Sequence, residues 1–235
     1  MLDIIRLSKS YGAKKAVDDV TFSVGAGEIC AFIGHNGAGK TTTLKCVAGI
    51  LAFDEGEILI DGGSIAEDPI AAKRKFAYIP DNPDLYDYMT GMQYLNFISD
   101  VFGLSEEERK ENILRYARSL ELSEEELGAQ IGSYSHGMKQ KLAVISALIH
   151  SPKLILLDEP FVGLDPKASF ILKEIMRDFC RNGGAILFST HILEVAEKLC
   201  DRVAIIKQGK LVTFGKMDDV KGDSSLEDIF LELEA

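Results

Sequence analysis

The residues with the plainest chemical meaning are Gly34-His35-Asn36-Gly37-Ala38-Gly39-Lys40-Thr41, which fit the phosphate-binding pattern GxxxxGK[ST] without a mismatch. Gly34, Gly37 and Gly39 let the backbone turn its N–H groups toward phosphate oxygens with no side chain in the way. Lys40 supplies a point charge for β- and γ-phosphates, and the Thr41 hydroxyl is placed to ligate Mg²⁺. Asn36, Ala38 and Thr42 complete the predicted nucleotide-binding run. The bland reading, a chance glycine loop, does not explain why the pattern sits between a buried strand and a helix whose positive N-terminal end would face the phosphates.

A second constellation is Leu154-Ile155-Leu156-Leu157-Asp158-Glu159. Four apolar residues bury a strand, and its C-terminal end delivers two carboxylates at the edge where parallel α/β sheets bind ligands. Asp158 is expected to hold Mg²⁺ through water, and Glu159 to orient and deprotonate an attacking water. Alone, an apolar run followed by two acids says little. With the glycine loop it makes a two-part site for a nucleoside triphosphate.

Elements must position these groups. Strand-like segments are expected at 2–7 and 17–24 around a Tyr11-Gly12 turn, then at 28–33, whose unbroken apolar run suits burial on both faces. A helix follows over 40–50 and a short strand over 57–60. Residues 83–150 differ in character and read as mostly helical, with the clearest segments at 93–101, 106–119 and 138–149. Strands at 154–157 and 185–188 flank a helix over 166–182, 203–206 and 210–214 form a hairpin, and a helix closes the sequence at 226–234. The expected fold is α/β: a nucleotide-binding core made of 1–82 and 151–235, interrupted by a helical lobe at 83–150, together one domain over 1–235.

Composition narrows the function classes. The chain has 235 residues, 46% hydrophobic and 27% charged, as in a globular protein. No apolar run approaches the roughly 20 residues that span a bilayer, and the N-terminus reads as a strand, not a leader, so any membrane role is expected to come through a partner. A formal charge of −11 disfavours nucleic acid, which wants a basic face. Cys30, Cys46, Cys180 and Cys200 show neither CxxC spacing nor a histidine pair, and are expected to be reduced and structural in a cytoplasmic protein.

Beyond these general readings, Tyr134-Ser135-His136-Gly137-Met138-Lys139-Gln140, just ahead of a helix, is similar to the LSGGQ signature of the ATP-binding cassette (ABC) family, and the resemblance covers essentially the whole chain. The resemblance makes Asp165, in Gly163-Leu164-Asp165, a D-loop aspartate and His191 a switch histidine that senses the γ-phosphate. It makes Tyr11 the aromatic that stacks on adenine. Ser135 and Gly137 would contact the ATP held by a second subunit. It implies ATP and Mg²⁺ as cofactors, a head-to-tail dimer or paired cassette, a separate transmembrane permease, and a site on the inner face of the cell membrane. The C-terminal Ser225-Leu226-Glu227-Asp228-Ile229-Phe230 resembles exporter-type motors. Two departures stand out. His136 and Met138 replace Gly and Gln of the signature, and Asp81 aligns where the family has a glutamine that contacts the metal.

Competing readings are a cassette ATPase acting on nucleic acid or the ribosome, and a small-molecule kinase. The first is disfavoured by acidity and by the lack of a coiled-coil insertion or a second cassette. The second gives no reason for Ser135, Asp165 and His191 to occur in this order. Residues 83–89 mix turn formers with large apolar side chains. Leu85, Tyr86, Tyr88 and Met89 are therefore expected at the surface, where the family receives a cytoplasmic helix of its channel.

Overall fold

The structure, a computed structural model, describes residues 1–234, so the last position of the expected 1–235 span lies outside the described residues. An antiparallel hairpin opens the chain: β1 (Leu2–Tyr11) and β2 (Lys14–Val24) turn at Gly12, whose φ of +59° suits a residue without Cβ. β3 (Ile29–Ile33) is buried along its whole length. Because successive side chains point to opposite faces, Ile29, Ala31 and Ile33 enter one apolar cluster, and Cys30 and Phe32 enter the other.

α1 (Lys40–Val47) is shorter than the 40–50 expected, because Gly49 adopts a left-handed φ of +61° just beyond its cap at Ala48. β4 (Glu55–Ile60) and β5 (Gly63–Ser64) extend the hairpin into a four-stranded sheet of order β2-β1-β4-β5. The short α2 (Pro69–Lys73) starts at the Asp68 cap and leads into β6 (Phe76–Ile79).

Three helices of the following segment begin with the same device. α3 (Gly91–Phe102), α4 (Glu106–Ser119) and α5 (Glu124–Gly128) carry capping boxes from Thr90 and Gln93, Ser105 and Glu108, and Ser123 and Glu126. A single 3₁₀ turn, Ile131–Ser133, precedes α6 (His136–Leu148). Leu85 corrects the expectation for 83–89: it is only 8% exposed and belongs to the apolar cluster of the helices, although Tyr86 and Tyr88 stay open at 44% and 72%. Met89 is half-buried. Asp87 and Met89 carbonyls accept from the N–H groups of Gly132 and Ile131, so this turn is pinned down rather than free, and Leu85 is drawn inward with it.

The remainder alternates: β7 (Leu154–Asp158), α7 (Pro166–Arg181), β8 (Ala185–Thr190), α8 (Leu193–Leu199), β9 (Arg202–Lys207), β10 (Lys210–Lys216), α9 (Met217–Lys221) and α10 (Leu226–Glu234). The central sheet has the order β10-β9-β3-β8-β7-β6, parallel except for β10. One of its faces packs on α1 and the antiparallel sheet, the other on α6, α7 and α8. Phe32 and Phe188 are fully buried on opposite faces, each contributing about 1.5–3 kcal/mol of apolar transfer. All four cysteines are buried and free, and burial pushes the Cys46 thiol up to about 11. Among the described residues no helix is long and apolar enough to cross a membrane.

Candidate functional site

The glycine loop leaves β3 and enters α1 at the C-terminal edge of the central sheet. It is held between two neighbours. A Cβ on Gly34 would lie 2.5 Å from the Ile206 carbonyl oxygen of β9, and one on Gly39 would lie 2.4 Å from the Ala16 carbonyl oxygen of β2. Gly39 also has φ +114°, so glycine is required there on two counts. The Gly209 N–H donates to the Ala38 carbonyl at 2.8 Å and ties the loop to the β9–β10 turn. His35, Asn36 and Gly37 are exposed on the loop, Thr41 is exposed at the first turn of α1, and Thr42 is half-buried. The His35 ring meets Phe230 of α10 edge-on at 4.9 Å.

Lys40 is buried. Its Nζ donates to the Gly34 carbonyl at 2.6 Å and to the His35 carbonyl at 3.3 Å, and lies 3.6 Å from Glu159 Oε1. The other Glu159 oxygen, Oε2, lies 2.9 Å from His191 Nδ1. One carboxylate therefore joins the cation of the glycine loop to the histidine beyond β8. Glu159 sits at φ +48°, outside the usual range for a side chain of its size. Its backbone N–H donates to Ser189 Oγ at 3.0 Å, and the Ser189 hydroxyl donates to Asp158 Oδ1. The second Asp158 oxygen is buried with no hydrogen-bond partner among the described residues.

The sequence reading missed Ser189. Its only signal was its place two residues before His191, at a strand end level with Asp158, its register partner.

The other predicted residues make their described contacts elsewhere. Ser135 caps α6, accepting from the Met138 N–H at 3.2 Å, and among the described residues no hydrogen bond joins it to Lys40 or Glu159. Gly137 is half-buried on the first turn of α6. His136 packs on the glycine of the turn after Glu159: a Cβ on Gly163 would fall 2.7 Å from its imidazole Cδ2. Asp165 caps α7, and the Ala168 N–H holds its carboxylate below the usual range. Tyr11 is exposed at the end of β1, with Lys9 Nζ 5.8 Å from its ring centre. Asp81 is exposed just beyond β6. Among the described residues no cluster of three or more His, Cys, Asp or Glu could enclose a metal ion. A cation here would draw on few protein ligands and on phosphate oxygens, as Mg²⁺ does with nucleotides.

Comparisons with known proteins show the family and the fold. A family model described as ABC transporter matches residues 17–162. The ABC-type transporter ATP-binding protein EcsA of Bacillus subtilis is 34% identical, over 99% of this chain and 96% of that protein. The linearmycin resistance ATP-binding protein LnrL of the same organism is 33% identical, over 94% of this chain and 70% of that one. A solved structure described as the ATP-binding subunit of an ABC transporter superposes with a TM-score of 0.95 at 38% identity, covering the whole of both chains. A dimeric cassette in a post-hydrolysis state with ADP and Pi shares the fold, with a TM-score of 0.85 at 23% identity over 92% of this chain and 99% of that one. With a glycine loop, a buried lysine and paired carboxylates set at one sheet edge, this chain belongs to the ABC transporter family as an ATP-binding, ATP-hydrolysing subunit.

Proposed function

We propose that this subunit hydrolyses Mg²⁺-ATP with Glu159 as general base and drives export through a separate transmembrane protein. The observation that carries the reading is the Glu159 carboxylate, with one oxygen toward Lys40 and the other against His191. That arrangement suits a proton acceptor between a phosphate-binding cation and a group able to sense the γ-phosphate. Gly34, Asn36, Gly37, Ala38, Gly39, Thr41 and Thr42 form the phosphate cradle, and Tyr11 offers an exposed ring to the adenine. Thr41 and the free oxygen of Asp158 fit a Mg²⁺ ion and its water, with Asp81 in the place of the family's glutamine. The ion would offset phosphate charge.

In this reading, residues 1–82 and 151–235 work as the nucleotide-binding core and 83–150 as a lobe that carries the signature. Ser135, exposed, and Gly137, half-buried, lie at the start of α6, which suits a role against ATP held by a second subunit in a head-to-tail dimer. Tyr86 and Tyr88 form, with Tyr94 and Phe97, a ring cluster with centroids 5.8–6.1 Å from that of Tyr86, partly open to the outside. Open aromatic groups on a pinned turn suit a cytoplasmic helix of the permease. Such a partner places the subunit in the cytoplasm against the inner face of the membrane. The resistance role in a relative's name and the Ser225–Phe230 resemblance support the outward direction.

The test is Glu159→Gln. ATP binding should persist, because the loop and Lys40 are untouched, while turnover falls roughly 10²–10⁴-fold. Wild-type turnover in that variant would remove Glu159 from its role.

A further inference from the structure

Tyr78 differs from its neighbours on β6. Ala77 and Ile79 face the cluster under the helices, whereas Tyr78 packs against the cluster around α1. Its register partner is Leu156 of β7, and Asp158 lies two residues farther on, on the same face of the sheet. The ring thus lies on the face from which Asp158 projects. Its hydroxyl is buried and has no hydrogen-bond partner among the described residues, as is also true of Asp158 Oδ2. Burial, and then the charges of Asp158 and Asp81, push the phenol pKa upward. Asp81 follows three residues beyond Tyr78, just past the end of β6.

For packing alone phenylalanine would serve better, because a buried hydroxyl without a partner destabilises a fold. A tyrosine hydroxyl can both donate and accept, a carboxylate can only accept, and a glutamine amide can also donate. Asp81, standing where the family has glutamine, has no proton to give. We propose that Tyr78 is a further positioning residue of the nucleotide site, its hydroxyl supplying the missing donor by holding a metal-bound water between Asp158 and Asp81. The proposal rests on the Mg²⁺ reading above.

Tyr78→Phe removes one oxygen and keeps the ring. Three quantities test it: the thermal midpoint of the nucleotide-free protein, the affinity for the non-hydrolysable analogue AMP-PNP in EDTA, and the Mn²⁺ affinity of the AMP-PNP complex, read from the free-Mn²⁺ EPR signal. The midpoint should hold or rise, the affinity in EDTA should stay the same, and Mn²⁺ should bind about five- to tenfold more weakly, the loss of one hydrogen bond. Unchanged Mn²⁺ affinity would overturn the proposal. So would a lower nucleotide-free midpoint, which would give the hydroxyl a purely structural partner, or an equal loss of affinity in EDTA. If the wild-type protein adds nothing to the Mn²⁺ affinity of AMP-PNP alone, the metal reading itself fails, and that result is separate from anything the variant shows.

Discussion

The glycine loop and the start of α6 both end in helix N-termini, yet they are built in opposite ways. The loop is backbone: Gly34 and Gly39 are pressed against carbonyls of β9 and β2, and Lys40 is buried under it. At α6 the proposed working group is a side chain, Ser135, which stands exposed and is used within its own chain as a cap. The loop is therefore fixed before any nucleotide arrives, whereas Ser135 has one helix to hold and surface left over. A half-site that is finished and one that awaits a counterpart are what a shared site between two subunits requires. Two of the loop's glycines, Gly34 and Gly39, therefore mark how tightly it is enclosed, not only what it binds.

Three variants would break or sharpen this contrast. The largest effect is expected from Gly39→Ala, which adds a Cβ at 2.4 Å from a carbonyl oxygen and at a strained φ. A loss of about 3 kcal/mol or more, read from the denaturant midpoint, should accompany failure to bind nucleotide; a stable, nucleotide-binding variant would mean that the loop is not clamped. Ser135→Ala should cost about 1 kcal/mol through the lost cap. Nucleotide affinity of the single subunit should be unchanged; specific activity should rise with protein concentration in the wild type, as a site shared between subunits requires, and should not in the variant. Equal activity curves for variant and wild type would leave Ser135 as a cap alone. Smallest for the fold is Tyr86→Ala with Tyr88→Ala, expected to change stability by about 1 kcal/mol or less because both rings are open. Co-purification with the membrane subunit should nevertheless be lost, and its retention would move the docking surface elsewhere.

The parts of the molecule that the sequence made readable are those whose signal is local. α4 runs over 106–119 as expected because Ser105 and Glu108 mark its start, and the glycine loop declares itself because its geometry tolerates few other residues. β6 escaped notice because four residues carry too little periodicity; its pairing with β7, far along the chain, makes it a strand. Leu85 was misplaced for a related reason, since its burial depends on hydrogen bonds from the turn at Ile131 and Gly132. At the site, Lys40, Asp158, Glu159 and His191 could be named from the sequence. Ser189 and Tyr78 could not, because their meaning comes from which strand lies beside which.

β3 carries a consequence for how the protein is made. Its neighbours in the sheet are β8 and β9, so the strand that launches the glycine loop at residue 34 is unpaired until residues 185–207 exist. During synthesis that delay is on the order of 10 s. Throughout it, the uninterrupted apolar run Ile29-Cys30-Ala31-Phe32-Ile33 waits without partners, the kind of segment that seeds aggregation. Ribosome pauses placed after β3 has emerged and before codon 185 should lower soluble yield, with the finished protein identical to that made without them.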